Sequence, residues 1–162
     1  MTPQKFRLQL EANFGFEPTE SQQLWFPAIS NFIFLKKPNT AFLLKGYAGT
    51  GKTTLISSLV KDIQKTGFKI VLMAPTGRAA KVMSTYSRTS AKTIHKQIYY
   101  PRAEKSGKMS FQLKNNKFKK TLFVIDEASM IGDDRENVKF FENGSLLHDV
   151  VQYVSRGEQC KL

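Results

Sequence analysis

Residues 40–54 constrain the fold more than any other stretch of this chain, because an apolar run changes there into a glycine-rich loop and then into a helical pattern. The apolar run, residues 41–44, predicts a short buried strand. Gly46, Gly49 and Gly51 allow the backbone a positive φ and a close approach to a ligand. Successive N–H groups of such a loop, and the N-terminus of the helix after it, point at one anion. The segment therefore predicts a strand, a phosphate-binding loop and a helix, in that order.

The loop has the G-x-x-x-x-G-K-[ST] spacing of nucleotide-binding P-loops. In that pattern the lysine, Lys52, reaches the β- and γ-phosphates, and the hydroxyl of Thr53 is placed to coordinate the Mg²⁺ ion bound to them. The residues expected to bind the nucleotide are Gly46, Ala48, Gly49, Thr50, Gly51, Lys52, Thr53 and Thr54. A flexible glycine turn is the alternative. A helical stripe of apolar residues after the loop favours the nucleotide site.

Length and cysteine content limit the class of protein. The 162 residues suffice for one domain with a buried core. Cys160 is the only cysteine, so an internal disulfide is excluded. The sequence has no apolar run near 18 residues and no signal-peptide pattern over residues 1–11. We therefore expect a soluble, cytoplasmic protein without a membrane partner.

The formal net charge of +12 is unevenly distributed. Residues 61–120 hold 15 Lys and Arg against Asp62 and Glu104, which gives them a charge of +13, whereas the rest of the chain holds 10 basic and 11 acidic residues. A basic face of that kind attracts phosphate backbones, because condensed counterions are released on binding. The charge predicts a nucleic-acid surface, and a merely solubilising surface is the alternative.

Two helices are predicted before the loop. Thr2 and Pro3 are typical of an N-cap and a first helical residue. The second helix opens on a capping box formed by Thr19 and Gln22, and Pro27 should kink it or delay its start. A glutamine at a helix start upstream of a phosphate loop can also hydrogen-bond both the donor and the acceptor of an adenine edge. Gln22 is therefore either a capping residue or an adenine contact.

Two more apolar runs, residues 68–74 and 121–125, predict strands that are covered on both faces, as in a parallel sheet. The first continues into residues 75–80, a loop at the edge where such sheets bind ligands. The second ends at Asp126 and Glu127. Downstream of a phosphate loop, Asp126 is expected to hold Mg²⁺ directly or through water, and Glu127 to orient and deprotonate the attacking water.

The stretch between these two runs is basic and aromatic. Residues 90–96 predict the start of a short helix whose histidine, His95, is of a kind more often structural than catalytic. Residues 99–120 interleave lysines with aromatic residues, and we expect two strands that turn at Asn115-Asn116 and expose their aromatic rings. Such rings, Phe111 among them, suit the stacking of bases beside neutralised phosphates. A poorly ordered solvated loop is the alternative.

Four blocks of the sequence occur in a fixed order. They are Gly-Tyr-Ala-Gly-Thr-Gly-Lys-Thr at 46–53, Ala-Pro-Thr-Gly-Arg-Ala-Ala at 74–80, Thr-Ile-His at 93–95 and Ile-Asp-Glu-Ala-Ser-Met at 125–130. Over about residues 18–131 they resemble the superfamily 1B DNA helicases, in the RecD-like group that includes the exodeoxyribonuclease V alpha subunit. The resemblance implies an α/β fold, namely a RecA-like P-loop NTPase domain with a parallel sheet flanked by helices.

The resemblance also implies cofactors and roles. ATP and Mg²⁺ would be the cofactors, Lys52 and Glu127 the catalytic residues, and Gln22 the residue that contacts adenine. The single-stranded DNA contacts implied are Pro75, Thr76 and Arg78 in one motif and Thr93 and His95 in a second. Residues 99–118 lie where the family has a small hairpin that separates the strands.

Members of the family continue with a coupling motif and a second RecA-like domain, which this sequence lacks. We therefore expect residues 1–162 to be the first motor domain of a 5′-to-3′ DNA helicase of recombination or repair, truncated before the coupling motif. Translocation needs two domains, so the chain alone should be weakly active or inactive. Other subunits of a nuclease–helicase complex are candidate partners. Another P-loop enzyme, such as a nucleotide kinase, and a binding-only module remain as alternatives.

Overall fold

The computed structural model of the protein describes residues 1–103, 109–132 and 145–162. Its helices are α1 (Pro3–Asn13), α2 (Glu20–Phe34), α3 (Lys52–Asp62), α4 (Gly77–Ser87), α5 (Ile94–Ile98) and α6 (Leu146–Ser155). Its strands are β1 (Lys69–Ala74), β2 (Ala91–Thr93), β3 (Tyr99–Ala103), β4 (Met109–Leu113) and β5 (Thr121–Ile125). Short 3₁₀ helices span Ile63–Thr66 and Ala128–Met130. None of the helices in the described ranges is long and apolar enough to cross a membrane.

A parallel sheet with the strand order β2-β1-β5 forms the centre of the structure. Ala74 at the end of β1 is in register with Thr93 of β2, and Met73 is in register with Ile125 of β5. The three strands therefore end at the same edge of the sheet. The predicted α/β class, with a parallel sheet flanked by helices as in RecA-like P-loop domains, is confirmed.

Both faces of the sheet carry a hydrophobic core. Neighbouring residues of β5 point to opposite faces. Leu122 packs with residues of α1, α2 and α3, whereas Phe123 packs with residues of α5 and α6. This double coverage explains why the two apolar runs that form β1 and β5 are continuous rather than alternating.

The N-terminal helices follow local capping signals. Thr2 Oγ1 accepts the Lys5 N–H at 3.2 Å at the start of α1. The capping box of α2 is complete, because Thr19 Oγ1 accepts the Gln22 N–H and Gln22 Oε1 accepts the Thr19 N–H. Helix α2 starts at Glu20 and runs through Pro27, so the proline does not delay its start. The capping box already provides hydrogen-bond acceptors for backbone N–H groups of the first turn, which lies upstream of the proline.

The strand predicted at residues 41–44 is not formed. Within the described part of the chain, this segment makes one backbone bond to another extended segment, from the Phe42 N–H to the Leu162 carbonyl at 2.8 Å. A single bond is too little for a strand ladder. Phe42 and Leu44 pack against the core, whereas Leu43 is 70% exposed, so the segment is covered on one face only.

The two-stranded excursion predicted within residues 99–118 is present, since β3 and β4 pair antiparallel with Tyr99 opposite Leu113. The turn predicted at Asn115-Asn116 is wrong, because both residues follow β4. The connection itself, residues 104–108, lies outside the described residues. Asn116 Nδ2 instead donates to the Tyr153 carbonyl at 2.9 Å, and its Oδ1 accepts the Phe118 N–H at 2.8 Å. The asparagine thus anchors the chain on its way into β5.

A buried carboxylate joins α1 to the end of α3. Asp62 is 2% exposed and accepts hydrogen bonds from Gln9 Nε2 at 2.7 Å, Asn13 Nδ2 at 3.0 Å and Lys65 Nζ at 2.7 Å. Burial by itself would raise the pKa of Asp62. The hydrogen bonds from Lys65, Asn13 and Gln9, together with the charge of Lys65, outweigh burial and leave the pKa below its ordinary value.

We predict that Asp62→Asn lowers the free energy of unfolding by about 1.5 to 3 kcal/mol at neutral pH, because three donors lose a charged acceptor. A carboxylate whose pKa is depressed in the folded state adds stability above its unfolded pKa of about 3.9, and that stability is lost as the pH falls through the folded pKa. The variant should therefore lose less stability than the wild type on acidification below about pH 4. Urea unfolding at pH 7 and at pH 3 measures both effects.

Glu11→Gln is the matched control for this experiment, since Glu11 is a carboxylate on α1, the helix to which Asp62 is bonded, and it pairs with Arg7 at the surface. Exposed pairs of that kind contribute about 0.2 to 1 kcal/mol. Equal unfolding curves for Asp62→Asn and Glu11→Gln would contradict the role given to Asp62.

Candidate functional site

The phosphate loop can be built only with glycine at key positions. Gly49 and Gly51 have φ of +77° and +80°, in the left-handed region that other residues rarely adopt. A Cβ atom on Gly51 would lie 2.5 Å from Gln22 Nε2, and one on Gly46 would lie 2.7 Å from Thr50 Oγ1. Gly51 is also the N-cap of α3. The tightly packed backbone of the loop thus lies at the N-terminus of α3, a position that suits the binding of a phosphate group.

Lys52 is held inside this loop. Its Nζ donates to the carbonyls of Gly46 and Tyr47, both at 2.7 Å. Thr50 Oγ1 donates to the same Tyr47 carbonyl at 2.8 Å, and Ala48 lies in the turn that follows. The ammonium group is therefore positioned by the loop's own backbone, next to the first turn of α3. When a nucleotide binds, the Lys52 ammonium can donate to phosphate oxygens instead of these carbonyls and remain within the loop.

Gln22 forms the helix cap that was one of its two predicted roles, and its side chain also reaches the phosphate loop. Its Oε1 accepts the Thr19 N–H at 3.1 Å and completes the cap of α2. Its Nε2 donates to the Thr50 carbonyl at 3.1 Å. The side chain thus caps one helix and contacts the phosphate loop. The adenine contact remains a prediction.

Asp126 and Glu127 follow β5 at the carboxyl edge of the sheet. The Asp126 N–H donates to the Met73 carbonyl at 3.1 Å, which fixes the end of β5 against β1. Asp126 Oδ1 accepts the Glu127 N–H at 3.0 Å, and Oδ2 accepts the Tyr86 hydroxyl at 2.7 Å. Glu127 is exposed and has a φ of +54°, a conformation that costs a non-glycine residue about 1 to 2 kcal/mol. Such strain is typical of functional sites.

The two residues predicted to bind magnesium, Thr53 and Asp126, are connected through Tyr86. Thr53, Thr54 and Tyr86 line a cavity of about 240 Å³ beside α3, and the Tyr86 hydroxyl donates to Asp126 Oδ2, which is not part of that lining. The pair offers a hydroxyl oxygen and a carboxylate oxygen as ligands. Oxygen ligands of this kind suit Mg²⁺, which is bound in nucleotide sites by one or two protein groups together with phosphates.

The residues predicted to contact single-stranded DNA lie at this edge too. Pro75, Thr76 and Arg78 follow β1, and Thr93 ends β2 beside Ala74. Thr76 and Thr93 are N-caps of α4 and α5, since their hydroxyls accept the N–H groups three residues ahead, both at 3.2 Å. Arg78 is exposed on the first turn of α4. The parallel register thus brings both predicted motifs together.

Phe111 lies differently from the prediction, whereas the DNA contact predicted for the neighbouring His95 remains a prediction. The aromatic rings of the hairpin were expected to be exposed, but Phe111 is half-buried, with its ring centroid 5.7 Å from those of His95 and Tyr99. Tyr99 itself is 2% exposed. Burial lowers the pKa of His95, so the imidazole is mainly neutral at pH 7. The Tyr99 and Phe111 rings pack beside α5 as part of the core cluster on that side of the sheet.

Two side chains were missed by sequence reasoning. Tyr86, which binds Asp126, is far from it in sequence, and only its place on α4 brings the two together. Tyr100 is 60% exposed, with Lys114 Nζ 5.1 Å from its ring centroid. Strand alternation could have identified Tyr100, because its neighbour Tyr99 points into the core.

Comparisons with known proteins agree with this geometry. The model of the AAA domain family matches residues 31–148. The ATP-dependent RecD2 DNA helicase of Deinococcus radiodurans is 31% identical over 94 residues, which are 56% of this chain and 12% of that protein. The ATP-dependent DNA helicase dda of Enterobacteria phage T4 is 33% identical over 115 residues, which are 69% of this chain and 26% of that protein. The match thus spans only a minor part of both relatives. Over the matched residues the sequence is similar to part of these two helicases, and the chain belongs to the AAA domain family.

Proposed function

We propose that this chain is the ATP-binding and ATP-hydrolysing motor domain of a 5′-to-3′ DNA helicase that acts in recombination or repair. The observation that supports the proposal best is the convergence of three elements at one sheet edge. These are the Asp126-Glu127 pair and the two loops that follow β1 and β2. The start of α3, after the phosphate loop, is connected to this edge through Tyr86, which lines a cavity with Thr53 and bonds Asp126. The polarity and the biological process rest on the relationship to RecD-like helicases.

Each residue of the proposed ATP site has a distinct role. Lys52 and the N–H groups of the loop would bind the β- and γ-phosphates, and Gln22 would contact the adenine. Thr53 and Asp126 would hold Mg²⁺, which neutralises phosphate charge when it is bound. Glu127, exposed next to Asp126, would orient a water molecule and accept its proton as the water attacks the γ-phosphorus in line.

Electrostatics supports a polyanion at the same edge. Lys92 on β2, Lys96 on α5 and Lys114 after β4 form a group that we call the basic edge, together with Arg78 on α4. Lys114 Nζ donates to the Lys96 carbonyl at 2.7 Å. Burial lowers the pKa of Lys114, and the charge of Lys92 lowers it further. A phosphate placed between these two lysines would relieve their repulsion.

We assign residues 1–162 to the first RecA-like domain and propose that they bind ATP and single-stranded DNA but do not unwind a duplex alone. The reason is that translocation requires two such domains moving against each other. Other subunits of a nuclease–helicase complex are candidate partners, and we propose a cytoplasmic location.

The nucleotide site is tested first. Lys52→Ala should weaken Mg·ATP binding by about 10-fold or more, because a charged hydrogen bond is worth about 1.5 to 3 kcal/mol. Glu127→Gln should keep the binding and lose hydrolysis, since it removes only the proton acceptor. Titration with a fluorescent ATP analogue and phosphate release with and without single-stranded DNA measure the two effects. Equal affinity of wild type and Lys52→Ala for the analogue would refute the site.

Two substitutions separate the tasks of Gln22. Gln22→Glu keeps an acceptor for the Thr19 N–H, as a capping box allows, but removes the Nε2 donor. It should retain the thermal stability and lose preference for ATP over GTP. Gln22→Ala removes both, so it should also lose about 1 kcal/mol of stability. Unchanged ATP preference in both variants would leave Gln22 with a structural role alone.

The basic edge is tested through the dependence of DNA affinity on salt. Single-strand binding should weaken by roughly 0.7 log units per log unit of salt for each neutralised phosphate. Arg78→Ala should reduce that slope by the contribution of about one neutralised phosphate. It should lower the affinity for all DNA sequences alike, because a contact to the DNA backbone carries no base information.

Arg156→Ala is the control for this titration. Arg156 is an exposed arginine close to Glu158, which pairs with Lys119 at the opposite end of β5. This variant should keep the slope of the wild type. If Arg78→Ala and Arg156→Ala behave alike, the basic edge is a solvated face and the proposal depends on the ATP site alone.

A further inference from the structure

Tyr86 contacts the carboxylate that the proposed mechanism assigns to magnesium. Its hydroxyl donates to Asp126 Oδ2 at 2.7 Å from the last turn of α4. The ring is half-buried against the small core cluster that contains Leu72 and Met83. Burial raises the pKa of Tyr86, and the hydrogen bond and charge of Asp126 raise it further.

The two oxygens of Asp126 hold two different donors. Oδ1 accepts the Glu127 N–H at 3.0 Å, and Oδ2 accepts the Tyr86 hydroxyl. With one donor on each oxygen, the rotation of the carboxylate about its χ2 angle is fixed. Each oxygen has two lone-pair directions, so one on each oxygen is left for a cation.

The backbone of Tyr86 is tied to the helix that carries Thr53. Ser57 Oγ lies within 2.9 Å of the Thr53 carbonyl and within 3.2 Å of the Tyr86 carbonyl. Ser57 follows Thr53 by one turn on α3. A chain of hydrogen bonds thus runs from α3 through Tyr86 to Asp126, and it joins the two elements that bear the proposed magnesium ligands.

We propose that Tyr86 is a positioning residue for the magnesium site. Its hydroxyl orients the Asp126 carboxylate, and its backbone sets the distance of that carboxylate from Thr53. The inference rests on the proposed function, because Mg²⁺ enters this site with ATP. Hydrogen-bond partners of metal ligands affect metal affinity by about 10- to 100-fold when they are removed.

Tyr86→Phe tests the inference, since it keeps the ring and removes the hydroxyl. The full chain is titrated with Mg²⁺ at a fixed concentration of a fluorescent ATP analogue, and the affinity for the same analogue is measured in EDTA. The variant should need about 10-fold more Mg²⁺ at the midpoint. Its affinity in EDTA and its thermal midpoint should stay close to those of the wild type.

Tyr153→Phe is the matched control. Tyr153 is 2% exposed, and its hydroxyl interacts with Gln97 in the core cluster on the α5 and α6 side of the sheet. Removing that hydroxyl should leave the Mg²⁺ midpoint unchanged. Ser57→Ala, which removes the bond to the Tyr86 carbonyl, should shift the midpoint in the same direction as Tyr86→Phe and by less. It replaces Tyr86→Phe if that variant does not fold.

The possible results distinguish the role of Tyr86 from the proposed ATP site. A wild-type Mg²⁺ midpoint for the test variant would overturn the role of Tyr86 and leave the proposed ATP site intact. A loss of affinity that is equal in EDTA and in Mg²⁺ would overturn it too, because the tyrosine would then act on the loop rather than on the metal. Failure of the wild type to bind the analogue in a Mg²⁺-dependent way would overturn both.

Discussion

The parallel register of β1 with β2 and β5 is the constraint on which the rest of the structure depends. Because all three strands run in the same direction, the loops that leave them emerge at one edge of the sheet. Two contacts fix this edge: Ala74 lies beside Thr93, and the Asp126 N–H donates to the Met73 carbonyl. A slip of one residue would turn Leu72 and Phe123 out of their cores, so burial on both faces protects the register. The position of the site is thereby set by hydrophobic packing.

Structural hydrogen bonds and candidate ligand contacts share the same side chains at this edge. Thr76 and Thr93, two predicted DNA contacts, cap helices with their hydroxyls, and Gln22 caps α2 while it touches the phosphate loop. Lys52 Nζ donates to two carbonyls of the phosphate loop. A bound phosphate would compete with these carbonyls for the lysine. A ligand must therefore compete with contacts that are already made. The gain is that these groups are held near their working positions beforehand.

Charge separates the two halves of the site. The carboxylates of Asp126 and Glu127 lie at the end of β5, whereas the lysines and the arginine of the basic edge lie on β2, α4 and α5 and just after β4. β1 stands between them, so an acidic metal site and a cationic DNA surface are neighbours without overlapping. This arrangement allows a nucleotide and a nucleic acid to be held on adjacent strands of one sheet, as the proposed motor function requires.

The sequence by itself determined those features whose cause is local. The phosphate loop, the capping box of α2 and the strands β1 and β5 follow from spacing and apolar runs within a few residues, and the Asp126-Glu127 pair follows from its place after such a run. Tertiary structure decided the features that need a distant partner. Residues 41–44 lack a strand ladder, Phe111 is packed under the hairpin, and Tyr86 reaches Asp126 from another element. Local patterns state what a segment can form, but hydrogen-bond partners and burial are set by chain segments far away in sequence.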